Sequence, residues 1–341
     1  MRALDKALAL VVGAALSLGL TLAPGVASAQ SKLDPNLIYN YGEQETPRSA
    51  GMGGALRALS SGSSSLYINP AALAETRQYH IEALAQVTPE TNRQVYGGSI
   101  SDSVTGRVAG GLSILGGFMD TATGGLDRSF LDVRLGAAVP LGDRFILGLT
   151  GRYLKVSQAG TGTAAIFGSG DKFAGGLVDT STSPNGRFAL FNSVTFDAGL
   201  VIKPTDTFYI GISGQNLSYP NNGFLPTMVG GGLGFSTDDF SVEADGLADI
   251  NSWAKPTARI MAGGEYIIAG HVPIRAGYRF DQGAKLNTVS LGSGFIANEF
   301  SIEASVKRSL ANPGMTMMVF SVAYFLESAG VTKSPTADVQ P

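Results

Sequence analysis

Few residues in this chain of 341 have the chemistry for catalysis. There is no Cys, and His80 and His271 are the only histidines. A Ser nucleophile wants a His within reach, but these two fall at the start of one strand-like stretch and in a short turn elsewhere. Carboxylates such as Asp197 and Glu243 sit on separate stretches, with nothing in their spacing to bring them together. No metal-ligand spacing is present, so neither a metal nor a cofactor is expected. Gly51-Met52-Gly53-Gly54 invites reading as a phosphate cradle, yet no strand precedes it and no Lys-Ser/Thr pair follows. A net charge of −3 argues against nucleic acid as a partner. The residues favour a non-enzymatic protein.

The elements that carry these residues begin with an export signal. Arg2 and Lys6 precede an apolar run from Ala7 to Leu22, and Ala27-Ser28-Ala29 supplies a small-residue cleavage site. Residues 1–29 are therefore expected to be removed, near Ala29/Gln30. Beyond them no stretch approaches the ~18 consecutive apolar residues of a membrane-spanning helix, although charged residues are only 15% of the chain.

From Arg77 onward the pattern alternates with a period of two, which sends successive side chains to opposite faces of a strand. In SVTFDAGLVI, Val194, Phe196, Ala198, Leu200 and Ile202 share one face, opposite Thr195, Asp197 and Gly199. EFSIEASVK repeats it, with Phe300, Ile302, Ala304 and Val306 against Ser301, Glu303, Ser305 and Lys307. Strands are expected at 77–87, 93–101, 107–118, 128–140, 144–157, 191–203, 207–218, 226–236, 239–249, 257–269, 272–281, 286–297, 299–309 and 315–326. An even number of about fourteen, at lengths of ~9–11 residues, suits a transmembrane antiparallel β-barrel. A water-soluble β-sandwich is the alternative, but it would carry many more Lys, Asp and Glu on its polar faces. Here those faces are mainly Gly, Ser and Thr with scattered charges. Closure also removes every sheet edge, which lipid cannot satisfy.

Long connections fall on one parity, at 119–127, 158–190, 219–225 and 250–256, and tight turns on the other. This is the asymmetry of an outer-membrane barrel, with loops outside and turns in the periplasm. On that frame His80 and His271 read as interfacial polar residues. Trp253, in an upper connection, reads as an interfacial anchor. Within the 158–190 loop, Ile166, Phe167, Phe173 and Leu177 are the expected capture surface for an apolar ligand, or else a lid tucked over the mouth. The barrel should span 77–326, with a disordered periplasmic tail at 327–341.

Residues 30–76 do not alternate, and a barrel of this size has a lumen to fill. Asn69-Pro70-Ala71 reads as a capped helix start, while Gly51, Gly53 and Gly54 permit positive φ or close backbone approach. The economical placement is a hatch inside the barrel.

GMGGALRAL followed by SSLYINPAALA resembles the N-terminal signature of the FadL superfamily of outer-membrane transport proteins, especially its PorV/PorQ-like branch. The resemblance continues through FDAGLVIKP, YIGISGQNL, GGEYIIAGHVPIRAGYRF and VSLGSGF. It implies a fourteen-stranded barrel with an N-terminal hatch that carries hydrophobic compounds such as long-chain fatty acids inward. In other branches it implies a scaffold that grips a secreted protein. Membrane lipid is a further expected partner, and Tyr324 and Phe325 at the end of the last strand resemble the recognition signal of the outer-membrane insertion machinery. Ser61-Gly62 stands where relatives commonly have an acidic pair, and Ala72 where they have Gly, so no ligand contact transfers beyond Gly51, Gly53, Gly54, Asn69, Pro70 and Ala71.

Overall fold

The structure, a computed structural model, describes residues 44–121, 126–159, 187–220, 225–253, 255–310 and 314–326. The expected leader, residues 30–43 of the hatch and the 327–341 tail lie outside the described residues.

Fourteen antiparallel strands close into one barrel. They are β1 Tyr79–Thr88, β2 Arg93–Asp102, β3 Ala109–Thr121, β4 Leu126–Pro140, β5 Phe145–Ala159, β6 Arg187–Ile202 and β7 Phe208–Gln215. After these come β8 Met228–Ser236, β9 Phe240–Asp249, β10 Thr257–Ile268, β11 Val272–Asp281, β12 Leu286–Ile296, β13 Phe300–Ser309 and β14 Thr316–Leu326. Each pairs with its chain neighbours, and β1 closes on β14 with Tyr79 opposite Leu326.

The alternation is inside-out relative to a protein folded in water. Along β9, Phe240, Val242, Ala244, Gly246 and Ala248 are exposed while Ser241, Glu243, Asp245, Leu247 and Asp249 are buried. Leu135 on β4 and Val194 on β6 are each 67% exposed, a level that only a lipid-facing wall explains for so many large apolar residues.

Strand positions follow the sequence pattern closely except at β6 and β7. β6 begins earlier, at Arg187, and β7 stops at Gln215, so the two pair only over Ala198–Ile202. Asn216 causes the break. It adopts a left-handed conformation (φ 53°), and its backbone N–H donates to the Asp197 carboxylate at 2.7 Å instead of continuing the ladder.

Inside the barrel lies the segment from Gln44 to Glu75, its residues almost all buried. It contains α1 Pro47–Gly51, α2 Ser63–Tyr67 and a 3-10 turn over Pro70–Ala74. Thr46 and Ser49 form a reciprocal capping box on α1, with Pro47 in its first turn. The helix expected after Asn69 is the 3-10 turn. Asn69 Oδ1 accepts from Ala71 N at 3.2 Å, and the five residues before Glu75 are too few for an α-helix to propagate.

The abundance of Gly has a concrete cause in this arrangement. Nine strands, β3 to β8 and β10 to β12, each turn one glycine inward against the inner segment. A Cβ on Gly148 would strike the backbone of Pro70 and Ala71, one on Gly211 that of Arg57, one on Gly263 that of Met52 and one on Gly277 that of Gly53. Gly111 and Gly136 accommodate Leu66 and Leu73, Gly199 the Asn69 side chain, Gly234 Leu59, and Gly292 the Cα of Gly51. The inner segment thus reaches the wall itself, because the wall has no side chains there to hold it off.

Candidate functional site

The central strap of the inner segment, residues 55–59, is held by β9, which has no glycine in that ring of contacts. Asp245 accepts the backbone N–H groups of Leu56 (3.1 Å) and Arg57 (3.3 Å), and Glu243 those of Ala58 (2.5 Å) and Leu59 (2.9 Å). The Arg57 guanidinium balances Asp245 at 2.9 Å. The carbonyls of the strap are held from the other side: Asn69 Nδ2 donates to Arg57 O at 2.6 Å, and Arg48 donates to Leu59 O at 2.9 Å. Buried carboxylates need such donors to offset desolvation.

The inward faces are not uniformly polar, contrary to the lumen expected from alternation. On the loop side, Leu84 (β1), Val95 (β2), Leu115 (β3), Phe130 (β4), Leu154 and Val156 (β5), and Met317 and Val319 (β14) all turn inward and belong to one apolar cluster. Tyr67 and Leu66 of α2 join that cluster from below. Its rim carries Arg93, whose guanidinium lies 5.6 Å above the Phe130 ring. Tyr67 donates or accepts at Ser113 Oγ over 2.6 Å, and burial raises its phenol well above the usual range, so it stays neutral.

The rest of the interior is charged and paired. Asp132 binds Arg134 at 3.2 Å and Arg152 at 2.5 Å, Asp197 lies 3.7 Å from Arg134, and Arg134 donates to Leu66 O at 3.1 Å. Arg259 joins Asp249 and Asp281 at 3.1 and 2.7 Å, and Arg48 joins Glu265 at 3.1 Å. Arg275 bridges Glu265 and Glu303. Asp197 and Glu243 are members of separate ion clusters and share no site.

On the short-turn side of the inner segment a cavity of 540 Å³ opens. It is lined by Arg48, Ser60 to Ser64, His80, Glu82, Glu265, Arg275, Glu303 and Phe325 among others. His80, expected at the membrane interface, faces inward and is only 8% exposed. Its Nδ1 accepts from Ser63 N at 3.3 Å, because Gly62 leaves the space for the ring. His271 does lie in an exposed turn, with its Nδ1 2.9 Å from Ile296 O. The Trp253 indole packs where a side chain on Gly283 would stand.

The hatch-motif residues all lie in the inner segment. Gly53 and Gly54 have φ of 70° and 88°, and Gly51 sits against Arg275 and Ser305. Asn69, Pro70 and Ala71 form the turn against Gly148 and Gly199. Ile166, Phe167, Phe173 and Leu177 lie outside the described residues. Sequence reasoning missed the apolar wall, whose signal is local loss of alternation: Ile114-Leu115 and Tyr153-Leu154 put apolar side chains on both faces at once. Among the described residues no cluster of His, Cys, Asp or Glu is arranged to hold a metal.

No known family profile and no curated protein matches this sequence. Its architecture, by contrast, is that of solved transport barrels. The monoaromatic hydrocarbon channel CymD superposes with a TM-score of 0.63 at 15% identity, over 84% of this chain and 98% of that one. The two share a fold. The Ralstonia pickettii toluene transporter TbuX gives a TM-score of 0.60 at 15% identity over 83% and 98%. A Pseudomonas aeruginosa FadL homologue gives 0.55 at 15% identity over 82% and 97%. At such identities the likeness speaks for the shape of the barrel and not for its cargo.

Proposed function

We propose that this protein is a non-enzymatic outer-membrane channel for passive uptake of hydrophobic small molecules. The observation that carries this reading is the apolar wall formed by Leu84, Val95, Leu115, Phe130, Leu154 and Val319 inside an otherwise charged lumen. These side chains pack on one another and on Leu66 and Tyr67, so a hydrophobic molecule enters by parting apolar contacts, whereas a polar solute would have to shed its water there. The proteins that share the fold support the reading, since two are described as a hydrocarbon channel and a toluene transporter. Long-chain fatty acids fall within the same class of hydrophobic compounds. The inner segment acts as the hatch that keeps water-soluble compounds from following.

Naphthalene titrated into the purified barrel tests the proposal. Saturable binding is expected, weakened about tenfold by Leu115→Gln or Leu154→Gln, the equivalent of ~1.4 kcal/mol. A wild-type protein that takes up no naphthalene beyond detergent partitioning sinks the reading.

A further inference from the structure

The cavity on the short-turn side holds polar atoms that the uptake reading does not use. Four serines of the inner segment, Ser60, Ser61, Ser63 and Ser64, line it, and three of them are engaged. Ser61 Oγ accepts from Arg48 at 3.0 Å, Ser64 Oγ donates to Ser61 O at 2.6 Å, and Ser63 Oγ accepts from Ser99 at 2.5 Å. Ser60 is only 1% exposed, yet its Oγ has no hydrogen-bond partner among the described residues. His80 presents the second such atom. Its Nδ1 accepts from Ser63 N, which puts the ring proton on Nε2, and Nε2 is likewise buried without a partner among the described residues. An unsatisfied hydroxyl and an unsatisfied N–H in the lining of one cavity mark a place where another molecule completes the bonding.

The rest of the lining says what kind of molecule that is. Tyr209 (β7), Ile267 (β10), Ile296 (β12) and Phe325 (β14) give the cavity an apolar collar, and the Phe325 ring lies 5.1 Å from that of His80. The charged groups are already committed. Arg275 bridges Glu265 and Glu303, and Arg48 joins Glu265. At the mouth Arg77 donates to Val104 O at 3.1 Å and Glu75 pairs with Lys203 at 3.0 Å, while Glu82 faces the hydroxyls of Ser63 and Ser321. A carboxylate entering here would have to take an arginine from its glutamates, which leaves buried charge uncompensated.

We infer that this cavity is a second binding site, for a neutral aromatic molecule that carries a hydroxyl or carbonyl oxygen. The oxygen accepts from His80 Nε2–H, Ser60 Oγ bonds the same polar end, and the ring lies in the collar. The volume of 540 Å³ falls within the ~300–1,000 Å³ usual for small-molecule sites. A bare hydrocarbon is disfavoured, because it would leave both polar groups unpaired. The site stands apart from the apolar wall, which lies on the loop side of the inner segment, and either can exist without the other.

Equilibrium dialysis of the purified barrel against 1-naphthol and, separately, against naphthalene tests the site. 1-Naphthol should saturate one site more than naphthalene does. Ser60→Ala removes the hydroxyl, and His80→Asn keeps an acceptor toward Ser63 N while removing Nε2–H. Each should weaken the additional 1-naphthol site about tenfold and leave naphthalene binding as it is. Ile296→Trp fills the collar and should abolish that site without altering either polar group. 1-Naphthol binding that is undiminished in all three folded variants overturns the proposal, and so does tighter binding of 1-naphthoate than of 1-naphthol at the additional site. Naphthalene that fails to bind wild type, while 1-naphthol still fills a site sensitive to Ser60→Ala, overturns the uptake role instead.

Discussion

Asn69 Nδ2 donates to the carbonyl oxygen of Arg57 at 2.6 Å while Asn69 Oδ1 caps the turn at Ala71. One side chain therefore ties the two arms of the inner segment together, and Gly199 on β6 leaves the room for it. Asn69→Ala removes the cap, worth ~1 kcal/mol, and leaves the buried Arg57 carbonyl short of a donor, at a cost of ~1–3 kcal/mol. Hydrogen exchange across residues 55–75 should rise while the strands keep their protection.

The glycine contacts give a paired test. Gly263→Ala sets a methyl against the Met52 backbone, whereas a Cβ at Gly246 meets nothing within 4 Å. Overpacking of this kind costs typically ~1–3 kcal/mol. Thermal unfolding of Gly263→Ala should drop by several degrees and that of Gly246→Ala should stay where it is.

Glu243 and Asp245 serve the strap as acceptors for four consecutive N–H groups. The double change Glu243→Gln, Asp245→Asn keeps their size but brings amide donors among them, and it leaves Arg57 without its ion-pair partner. The barrel should still insert, and single-channel recordings should show a raised ion conductance. A conductance equal to wild type would mean the strap is held by packing alone.

Deleting residues 30–75 removes the backbone N–H partners of Glu243 and Asp245 and the Leu66 carbonyl that Arg134 donates to. An inserted barrel with reduced thermal stability and free leakage of small solutes is expected, read by dye efflux from liposomes. Unchanged permeability would count against the hatch.

Asp132 holds two arginines in the interior of β4 and β5. Asp132→Ala leaves Arg134 and Arg152 buried side by side, and losing one partner of a buried pair costs about 3–5 kcal/mol. Arg152→Met removes one of the two cations and should destabilise less. The order of their unfolding temperatures checks the point.

Much of the barrel could be read from the chain because strand alternation is a local property. EFSIEASVK and SVTFDAGLVI show which face meets lipid without reference to any other strand, and β13 and β6 carry those faces as expected. The early end of β7 was not legible, since it depends on the Asp197 carboxylate reaching Asn216 across a connection. In the sequence the glycines of β5, β7, β10 and β11 are merely members of the Gly, Ser and Thr faces. Their role emerges only when the inner segment lies against them.

By itself the sequence determined a barrel of about fourteen strands, with an expected export signal and a non-alternating start that resembles a hatch. Tertiary structure alone decided where the interior is apolar and where it is charged and sealed. Those properties belong to side chains far apart in the chain, such as Leu84 and Val319 or Ser63 and Ser99, which share a surface only once the barrel closes and the inner segment takes its path. Closure sets that juxtaposition through strand stagger and tilt, and no window of local sequence contains it.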